Sequence, residues 1–306
     1  MYPRLPFLLL PYTRAELPGW ARLLHWAGAL GRNSDGQWAR APTVTIRGKQ
    51  HRFMMKLDLS NWSQRMTYFL GRYYEFGVLR VLDATLQPGE RFVDIGANIG
   101  MITLHARSRV GASGQIDCFE PNPDCVAMID RHLRLNGIAN ARVHACALSD
   151  RPGTLDLNLT SAHTGTATLA EVEGVVRRIA VAVQVGDDVL AAASAAPVRL
   201  VKVDVEGFEL HVLKGICRTL TNDKPFVMTE LIEEQLAKGG TSVREVTGFL
   251  FDLGYEAFGI QSARRLVRRE LMLKPVARGD SFERFSDVLW AHPSGSSRGH
   301  LTYCVP

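Results

Sequence analysis

A glycine-containing turn after an apolar segment is the first feature with chemical potential. It comprises Asp94, Ile95, Gly96, Ala97, Asn98, Ile99 and Gly100. A glycine turn that leads into a helix N-terminus presents free backbone N–H groups to an anionic ligand. Gly96 permits the tight turn, and Gly100 permits close packing of the helix on the strand. A purely structural turn is the alternative interpretation.

A carboxylate at the end of the next predicted strand suggests a partner for hydroxyl groups. Glu120 stands at the distance from Gly96 where a carboxylate accepts both hydroxyls of an adenosine ribose. Pro121 and Asn122 then turn the chain into the next helix. A simply solvated carboxylate is the alternative, and the position after the glycine turn favours the ribose role.

Polar residues also follow the third strand. Ser149 and Asp150 occupy this position, and Asp150 can accept a hydrogen bond from an adenine amino group. A polar turn before the sequence Arg-Pro-Gly explains the same residues equally well.

Further carboxylates follow the fourth and fifth strands. Asp204 and Glu206 would share one face if the extended geometry persisted, which would place a base beside a substrate hydroxyl. Glu206 can instead simply stabilise a helix N-terminus. Glu230, at the end of the fifth strand, is a secondary candidate and is equally consistent with a solvated position.

Alternating strands and helices place these residues in an α/β fold. The predicted strands are 91–95, 115–120, 141–148, 198–205, 225–231, 255–260 and 287–291, and the predicted helices between them are 99–110, 123–135, 208–220 and 242–253. This alternation predicts a Rossmann-like, mostly parallel seven-stranded sheet flanked by helices. An insertion at 151–190 contains strand-like segments at 154–159 and 178–185. In such sheets, ligands bind beyond the carboxyl ends of the strands.

The N-terminal part differs in composition. Residues 1–42 are rich in Pro, Gly, Trp and Arg and are expected to be loosely structured or to form short helices. Two strands (43–47 and 52–59) and two helices (61–70 and 76–86) are predicted after them. We expect residues 1–88 to form a small α+β extension that acts as a lid or substrate-side cap, 89–292 to form the cofactor-binding domain, and 293–306 to form a tail.

Composition narrows the class of protein. The chain has 306 residues and a net charge of +5, and residues 1–58 hold nine Lys/Arg and three Asp/Glu. This local charge is typical of a solvated extension, or of a segment that faces an anionic partner or a membrane surface. The overall charge of the chain is not that of a nucleic-acid-binding protein. The five cysteines form no CxxC pair, which favours a reducing cytoplasm. No apolar run reaches about 18 residues, and residues 5–10 are too short for a signal peptide.

Four ordered motifs carry a family resemblance. The segments RFVDIGANIG, FEPNP, ALSD and VKVDVEGFELHVLKG, together with GRYYEFG and HTGTATL, resemble the FkbM family of S-adenosylmethionine-dependent methyltransferases. The resemblance covers roughly residues 52–292. The order and spacing of these motifs are far more specific to the family than any single motif is.

The resemblance implies S-adenosyl-L-methionine as cofactor and assigns residues to it. Around the cofactor it places Glu75, Asp94, Gly96, Ala97, Asn98, Gly100, Glu120, Pro121, Asn122, Ser149, Asp150 and Asp204. The glycine turn would border the methionine end, Glu120 the ribose and Asp150 the adenine edge. Tyr74 and Glu75 would close over the cofactor.

The implied reaction is methylation of a hydroxyl on a sugar, glycan or secondary metabolite. Asp204 or Glu206 is the expected catalytic base, and His163 is an outside candidate. No dense Asp/Asn/His cluster is evident, so we predict no catalytic metal. No nucleic-acid substrate is expected. An arginine run can bind an anionic acceptor or form a solvated helix face, and it comprises Arg264, Arg265, Arg268 and Arg269.

Two other functions share these features. A nicotinamide-dependent oxidoreductase would use the same turn and ribose carboxylate, but Asn98 replaces the central glycine that a pyrophosphate requires. A cofactor-binding module that has lost turnover is the other alternative. The retained carboxylates Glu120, Asp150, Asp204 and Glu206 argue against it.

Overall fold

The computed structural model describes residues 2–30, 34–159, 167–169, 175–265 and 268–295. His163 and most of the HTGTATL motif lie outside these residues, as does the end of the expected C-terminal tail. Among the described helices, none is both long and apolar enough to cross a membrane.

The described helices, in chain order, are α1 (Leu5–Leu8), α2 (Leu10–Arg14), α3 (Trp20–Trp26), α4 (Asp35–Trp38), α5 (Trp62–Leu70), α6 (Phe76–Thr85), α7 (Met101–Val110), α8 (Pro123–Leu135), α9 (Gly186–Ala193), α10 (Glu209–Gly215), α11 (Cys217–Asn222), α12 (Glu233–Lys238) and α13 (Val243–Asp252). Several begin at side-chain caps, as at Asn61 before α5, Asn122 before α8 and Ser242 before α13. The predicted helix 208–220 is in fact two helices, α10 and α11.

The described strands are β1 (Thr43–Arg47), β2 (Met54–Asp58), β3 (Arg91–Ile95), β4 (Gln115–Phe119), β5 (Ala141–His144), β6 (Ala147–Ser149), β7 (Gly153–Leu159), β8 (Ala167–Thr168), β9 (Arg177–Val185), β10 (Val198–Val203), β11 (Phe226–Glu230), β12 (Glu256–Arg265), β13 (Arg268–Val276) and β14 (Asp287–Ala291). All seven predicted core strands are present, with ends that differ by a few residues.

The central sheet has the order β13-β12-β14-β11-β10-β3-β4-β5. Five adjacent strands run parallel to one another, namely β11, β10, β3, β4 and β5. The strands β14, β12 and β13 are antiparallel to their neighbours. This confirms the Rossmann-like, mostly parallel sheet, although the described residues contribute eight strands rather than the seven predicted. The additional strand is β13, whose Leu273 is buried in the core.

The arginine run lies in the β12–β13 hairpin, so its interpretation as a helix face is wrong. Arg264 pairs in register with Arg269, and Arg265 pairs with Arg268. The same spacing fits either a helical i, i+4 pattern or pairing across a tight hairpin. The flanking strand pairing decides between the two.

The predicted third strand divides at its end. β5 stays in the central sheet, whereas β6 pairs in parallel with β9. The insertion thereby forms a second sheet with the order β6-β9-β7-β8. Both strands predicted within the insertion are confirmed, as β7 and β9.

The described residues among the first forty form short, well-packed helices, which confirms the short-helix alternative rather than the loosely structured one. Trp38 and Phe69 pack edge to face at 6.0 Å between ring centroids. The fully buried Arg65 donates hydrogen bonds to the carbonyl of Ala29 and to Asp35 across 2.9 and 2.7 Å. The N-terminal helices are therefore held against α5.

Two apolar cores cover the faces of the central sheet. Leu200 of β10 packs on one side, and Val201 and Val203 are part of the core on the other. Alternate strand residues point to opposite faces, which explains why β10 is apolar almost throughout.

The backbone at Gly96 predicts a sharp penalty for any side chain. Its φ is +79°, and a Cβ atom would lie 1.8 Å from the backbone oxygen of Asp204. We expect Gly96→Ala to lower the free energy of unfolding by about 2 kcal/mol or more, as measured by denaturant titration. Gly248→Ala is the control, because this helical position is open and alanine favours helices. Equal stability of the two variants would contradict the strained turn.

Candidate active site

A cavity of about 300 Å³ opens at the carboxyl ends of the parallel strands. Its walls come from the strand ends, α5, the segment before α6, the insertion sheet and α12. Residues from these elements include Trp62, Gln64, Tyr73, Tyr74, Glu75, Gly96, Ala97, Asn98, Glu120, Pro121, Leu157, Leu169, Lys202, Asp204, Glu206, Glu230 and Gln235. Eight of the predicted site residues are therefore brought together.

The other predicted site residues do not belong to the described lining of the cavity. Gly100 is the N-cap of α7 and adopts φ +81°. Asn122 caps α8 through a hydrogen bond from the backbone N–H of Asp124. Ser149 donates a hydrogen bond to Asp150 across 3.0 Å, and His211 lies 3.4 Å from the same carboxylate. Burial raises the pKa of Asp150, but the bonds from Ser149 and His211 outweigh it and lower the pKa overall.

Three N–H groups of the glycine turn are engaged within the chain, so these three are not free for an anionic ligand as expected. The N–H groups of Gly96 and Ala97 both donate to the carbonyl of Phe119, across 3.0 and 3.1 Å. The N–H of Asn98 donates to Glu120 across 2.8 Å. The turn is thus fastened to the end of β4, and it shapes the cavity through its backbone conformation.

Glu120 is buried and held by two backbone donors. One carboxylate oxygen accepts the N–H of Asn98 and the other accepts the N–H of Asn122, across 2.8 and 2.9 Å. Burial raises the pKa of this carboxyl group to about 7, although the two N–H groups oppose the increase. A carboxylate has about four acceptor positions, so this one retains acceptor capacity beside the cavity.

Lys202 joins the ends of β3 and β10, and the sequence analysis missed it. Its buried ammonium lies 3.0 Å from Asp204 and donates to the carbonyl of Gly96 across 3.1 Å. Asp94 lies 3.8 Å away. Burial lowers the pKa of Lys202, but Asp204 and Asp94 more than compensate and raise it above its usual range. A lysine inside an apolar strand was the signal that could have revealed it.

Asp94 acts from behind the glycine turn. It is fully buried and accepts a hydrogen bond from Thr103 across 2.6 Å. Burial raises its pKa, against the opposing effects of Lys202 and Thr103. Its position indicates that it supports the turn through Lys202 and the start of α7.

Three carboxylates converge in the lining of the cavity. Oxygens of Asp204, Glu206 and Glu230 lie within 4.8 Å of one another. A divalent cation binds such oxygen sets, and the prediction of a metal-free site stays a prediction. Glu230, the secondary candidate, therefore belongs with the two primary ones.

The reason for this convergence differs from the predicted one. β10 ends at Val203, and Glu206 adopts φ +56°, so the two acidic residues do not share an extended strand. Glu209 instead shapes the loop by accepting the N–H groups of Val205 and Gly207 across 3.1 and 3.2 Å. Gln235 donates a hydrogen bond to the Glu206 carboxylate.

The carboxylates raise one another's pKa values. Burial raises the pKa of Glu230 strongly, and Asp204, Glu206 and Asp287 raise it further. Burial followed by Asp287 and Asp204 raises the pKa of Glu75 to about 8. At neutral pH some of these groups therefore hold a proton, which suits proton exchange with a substrate hydroxyl.

Aromatic rings form the wall contributed by the N-terminal part. Trp62 and Tyr74 lie 5.2 Å apart between ring centroids, and Tyr73 and Tyr74 lie 4.7 Å apart. Burial raises the pKa of both tyrosines, so both keep their phenolic protons. The lining of the cavity therefore combines aromatic rings with carboxyl groups.

The parallel sheet with its cavity at the strand ends defines a Rossmann-like α/β domain. The chain belongs to the family described as the methyltransferase FkbM domain, whose model matches residues 94–257. This matched range contains the glycine turn, Glu120 and all three converging carboxylates.

Curated relatives are similar over part of the chain. Methyltransferase sdnD of Sordaria araneosa is 30% identical over 163 residues, which are 44% of this chain and 62% of the relative. Methyltransferase 1 of Beauveria bassiana is 28% identical over 162 residues, 46% of this chain and 65% of that protein. The chain thus spans slightly less than two thirds of the length of these two relatives.

Two further similarities are more distant. The 2-O-methyltransferase NoeI of Sinorhizobium fredii is 26% identical over 180 residues, covering 54% of this chain and 72% of the relative. The crystal structure of methyltransferase FkbM from Methylobacillus flagellatus aligns with a TM-score of 0.42 at 15% identity, over 75% of this chain and 54% of that one.

The crowded carboxylates predict a pH-dependent cost in stability. A carboxyl group whose pKa is raised by folding destabilises the native state as pH rises above its ordinary value, which is 4.5 for Glu230. We expect Glu230→Gln to increase the free energy of unfolding relative to wild type by on the order of 1 kcal/mol at pH 8 and by little at pH 4. Denaturant titrations across this range measure the difference.

The matched control is Glu234→Gln, at a largely exposed position in α12. This variant is expected to follow wild type at every pH. A Glu230→Gln advantage that did not grow with pH would show that the group is not strained by its neighbours.

Proposed function

We propose that this protein transfers a methyl group from S-adenosyl-L-methionine to a hydroxyl oxygen of a small-molecule or carbohydrate acceptor. The observation that carries the proposal is Glu120, a buried carboxylate at the end of β4 that faces the cavity beside the glycine turn. Family membership supports the same chemistry.

The residues at this end of the cavity fit the cofactor. The remaining acceptor positions of Glu120 match a pair of ribose hydroxyls, which are neutral donors. Gly96, Ala97 and Asn98 would border the methionine end, and Pro121 would border the adenosine. Asn98 occupies the place where a pyrophosphate would need glycine, which disfavours a nicotinamide cofactor.

The carboxyl groups that line the cavity are suited to binding the hydroxyl group of an acceptor. When bound, S-adenosyl-L-methionine supplies an electrophilic methyl group on a sulfonium, which is already a good leaving group. The chain therefore mainly has to align the acceptor hydroxyl and exclude water, and alignment can contribute ~7–11 kcal/mol. Asp204 or Glu206 accepts the hydroxyl proton as the new oxygen–carbon bond forms, because a carboxylate is too weak a base to remove it beforehand.

Two observations support a hydroxylated acceptor. The carboxyl groups of Glu75, Glu206 and Glu230 line the cavity and are suited to hydrogen bonds with hydroxyl groups, and the Trp62–Tyr74 pair offers an aromatic face. This combination suits a hydroxylated ring better than an anionic one. The name of the relative NoeI, a 2-O-methyltransferase, supports transfer to oxygen.

The proposal extends to domain roles. Residues 1–88 would act as a substrate-side cap, because α5 and the segment before α6 supply the aromatic wall. Residues 89–292 would hold the cofactor. An apolar cluster that includes Trp20, Leu24, Trp38 and Phe69 joins the first helices of this cap to α5.

Removal of the ribose carboxylate is the first test. We expect Glu120→Ala to weaken binding of S-adenosylhomocysteine by about tenfold or more in calorimetric titration, because charge-assisted hydrogen bonds are lost. Asp124→Ala is the control, since this carboxylate follows in the same turn but is largely exposed. Unchanged affinity would remove Glu120 from the ribose role, and NAD binding by wild type would overturn the proposed function.

Removal of the candidate base is the second test. Asp204→Asn and Glu206→Gln keep the shape of the side chains, so one of them should lower kcat by about 10²–10⁴-fold. The affinity for S-adenosylhomocysteine should change far less. Rates are measured with hydroxylated acceptors identified by screening for methyl transfer. Normal turnover by both variants would show that neither carboxylate is the base.

A further inference from the structure

Two N-terminal helices expose large apolar side chains in the same arrangement. In α1, Leu5 and Leu8 are 44% and 78% exposed, and in α3, Leu23 and Trp26 are 36% and 74% exposed. Each pair has i, i+3 spacing, so its two members lie on one side of their helix. Both helices contact α2, so the two pairs lie in the same part of the fold, and clustered exposed apolar surface marks an interaction site.

These exposed side chains do not reflect poor packing of the helices. Trp20 and Leu24 of α3 are buried in a cluster with Phe69 of α5. In α1, Phe7 packs on Trp38 at 5.9 Å between ring centroids. Each helix therefore buries one side and presents the other to solvent.

The charges around the exposed side chains are positive. An exposed arginine, Arg4 or Arg22, directly precedes each apolar pair. The acidic residues nearby are engaged by cations of the underlying structure. Glu16 pairs with Arg72 and Lys49 across 2.6 Å, and Asp35 pairs with Arg65 across 2.7 Å.

We propose that α1 and α3 bind the surface of an anionic lipid bilayer. Leucine and tryptophan side chains enter the boundary between headgroups and acyl chains, where helices with one apolar and one polar side bind. The two arginines remain at the level of the lipid phosphates and are attracted by the negative surface. The charge favours this partner over an apolar surface of a second copy, which would carry the same arginines. This proposal does not depend on the methyl-transfer reaction.

The test is co-sedimentation of the full chain with vesicles of equal parts phosphatidylcholine and phosphatidylglycerol. We expect wild type to sediment with these vesicles and to dissociate at high salt, and to bind pure phosphatidylcholine vesicles weakly. The double variant Leu8→Glu/Trp26→Glu should bind at least about tenfold more weakly. Arg4→Gln and Arg22→Gln should each weaken binding by about fivefold.

The control is Val176→Glu, which places the same charge at an apolar side chain that is 72% exposed but lies beside the insertion sheet. It should sediment like wild type. Thermal melts of all variants should coincide with wild type, because only exposed positions are changed. In addition, Trp26→Phe should retain binding but lose the fluorescence shift that vesicles induce.

The proposal would be overturned if wild type did not sediment with the vesicles. It would also be overturned if the Val176→Glu control lost as much vesicle binding as Leu8→Glu/Trp26→Glu. Light scattering of the protein without vesicles identifies the alternative partner. A wild-type dimer that Leu8→Glu/Trp26→Glu converts to a monomer, without vesicle binding, would assign this surface to a second copy of the chain.

Discussion

The buried ammonium of Lys202 is the interaction on which the rest of the site depends. It ties the carbonyl of Gly96, at the end of β3, to the carboxylate of Asp204, at the end of β10. A buried charge without partners would cost several kcal/mol, so the two strand ends must stay in this register. The glycine turn and the acidic loop are thereby held on the two sides of one cavity.

A second constraint is the crowding of carboxyl groups at the cavity. Glu75, Glu230 and Asp287 have raised pKa values because they are buried near one another and near Asp204. Such crowding opposes folding, and proteins tolerate it where a function requires it. The two apolar cores of the sheet stabilise the scaffold that keeps these groups close.

The sequence predicted the sheet well because alternating strands and helices leave few possible topologies. It also located Glu120, Asp204 and Glu206 at one edge. It could not show that Glu209 bends the acidic loop, since this depends on two backbone hydrogen bonds. The N–H group of Gly96 is not free as expected, because it donates a hydrogen bond to the carbonyl of Phe119. Lys202 was missed because its contact with the carbonyl of Gly96 joins two strands that are distant in sequence.

The insertion sheet has a consequence for how such proteins diversify. Leu157 and Leu169 reach the cavity from it, and Thr168 donates a hydrogen bond to the carbonyl of Glu206 across 2.8 Å. The turn around Gly96 and the carboxylate of Glu120 belong to the central sheet instead. Under the proposed function, amino-acid changes confined to the insertion would alter which acceptor is chosen and would spare the cofactor contacts. Duplicated genes could thus acquire new products by divergence in this one segment.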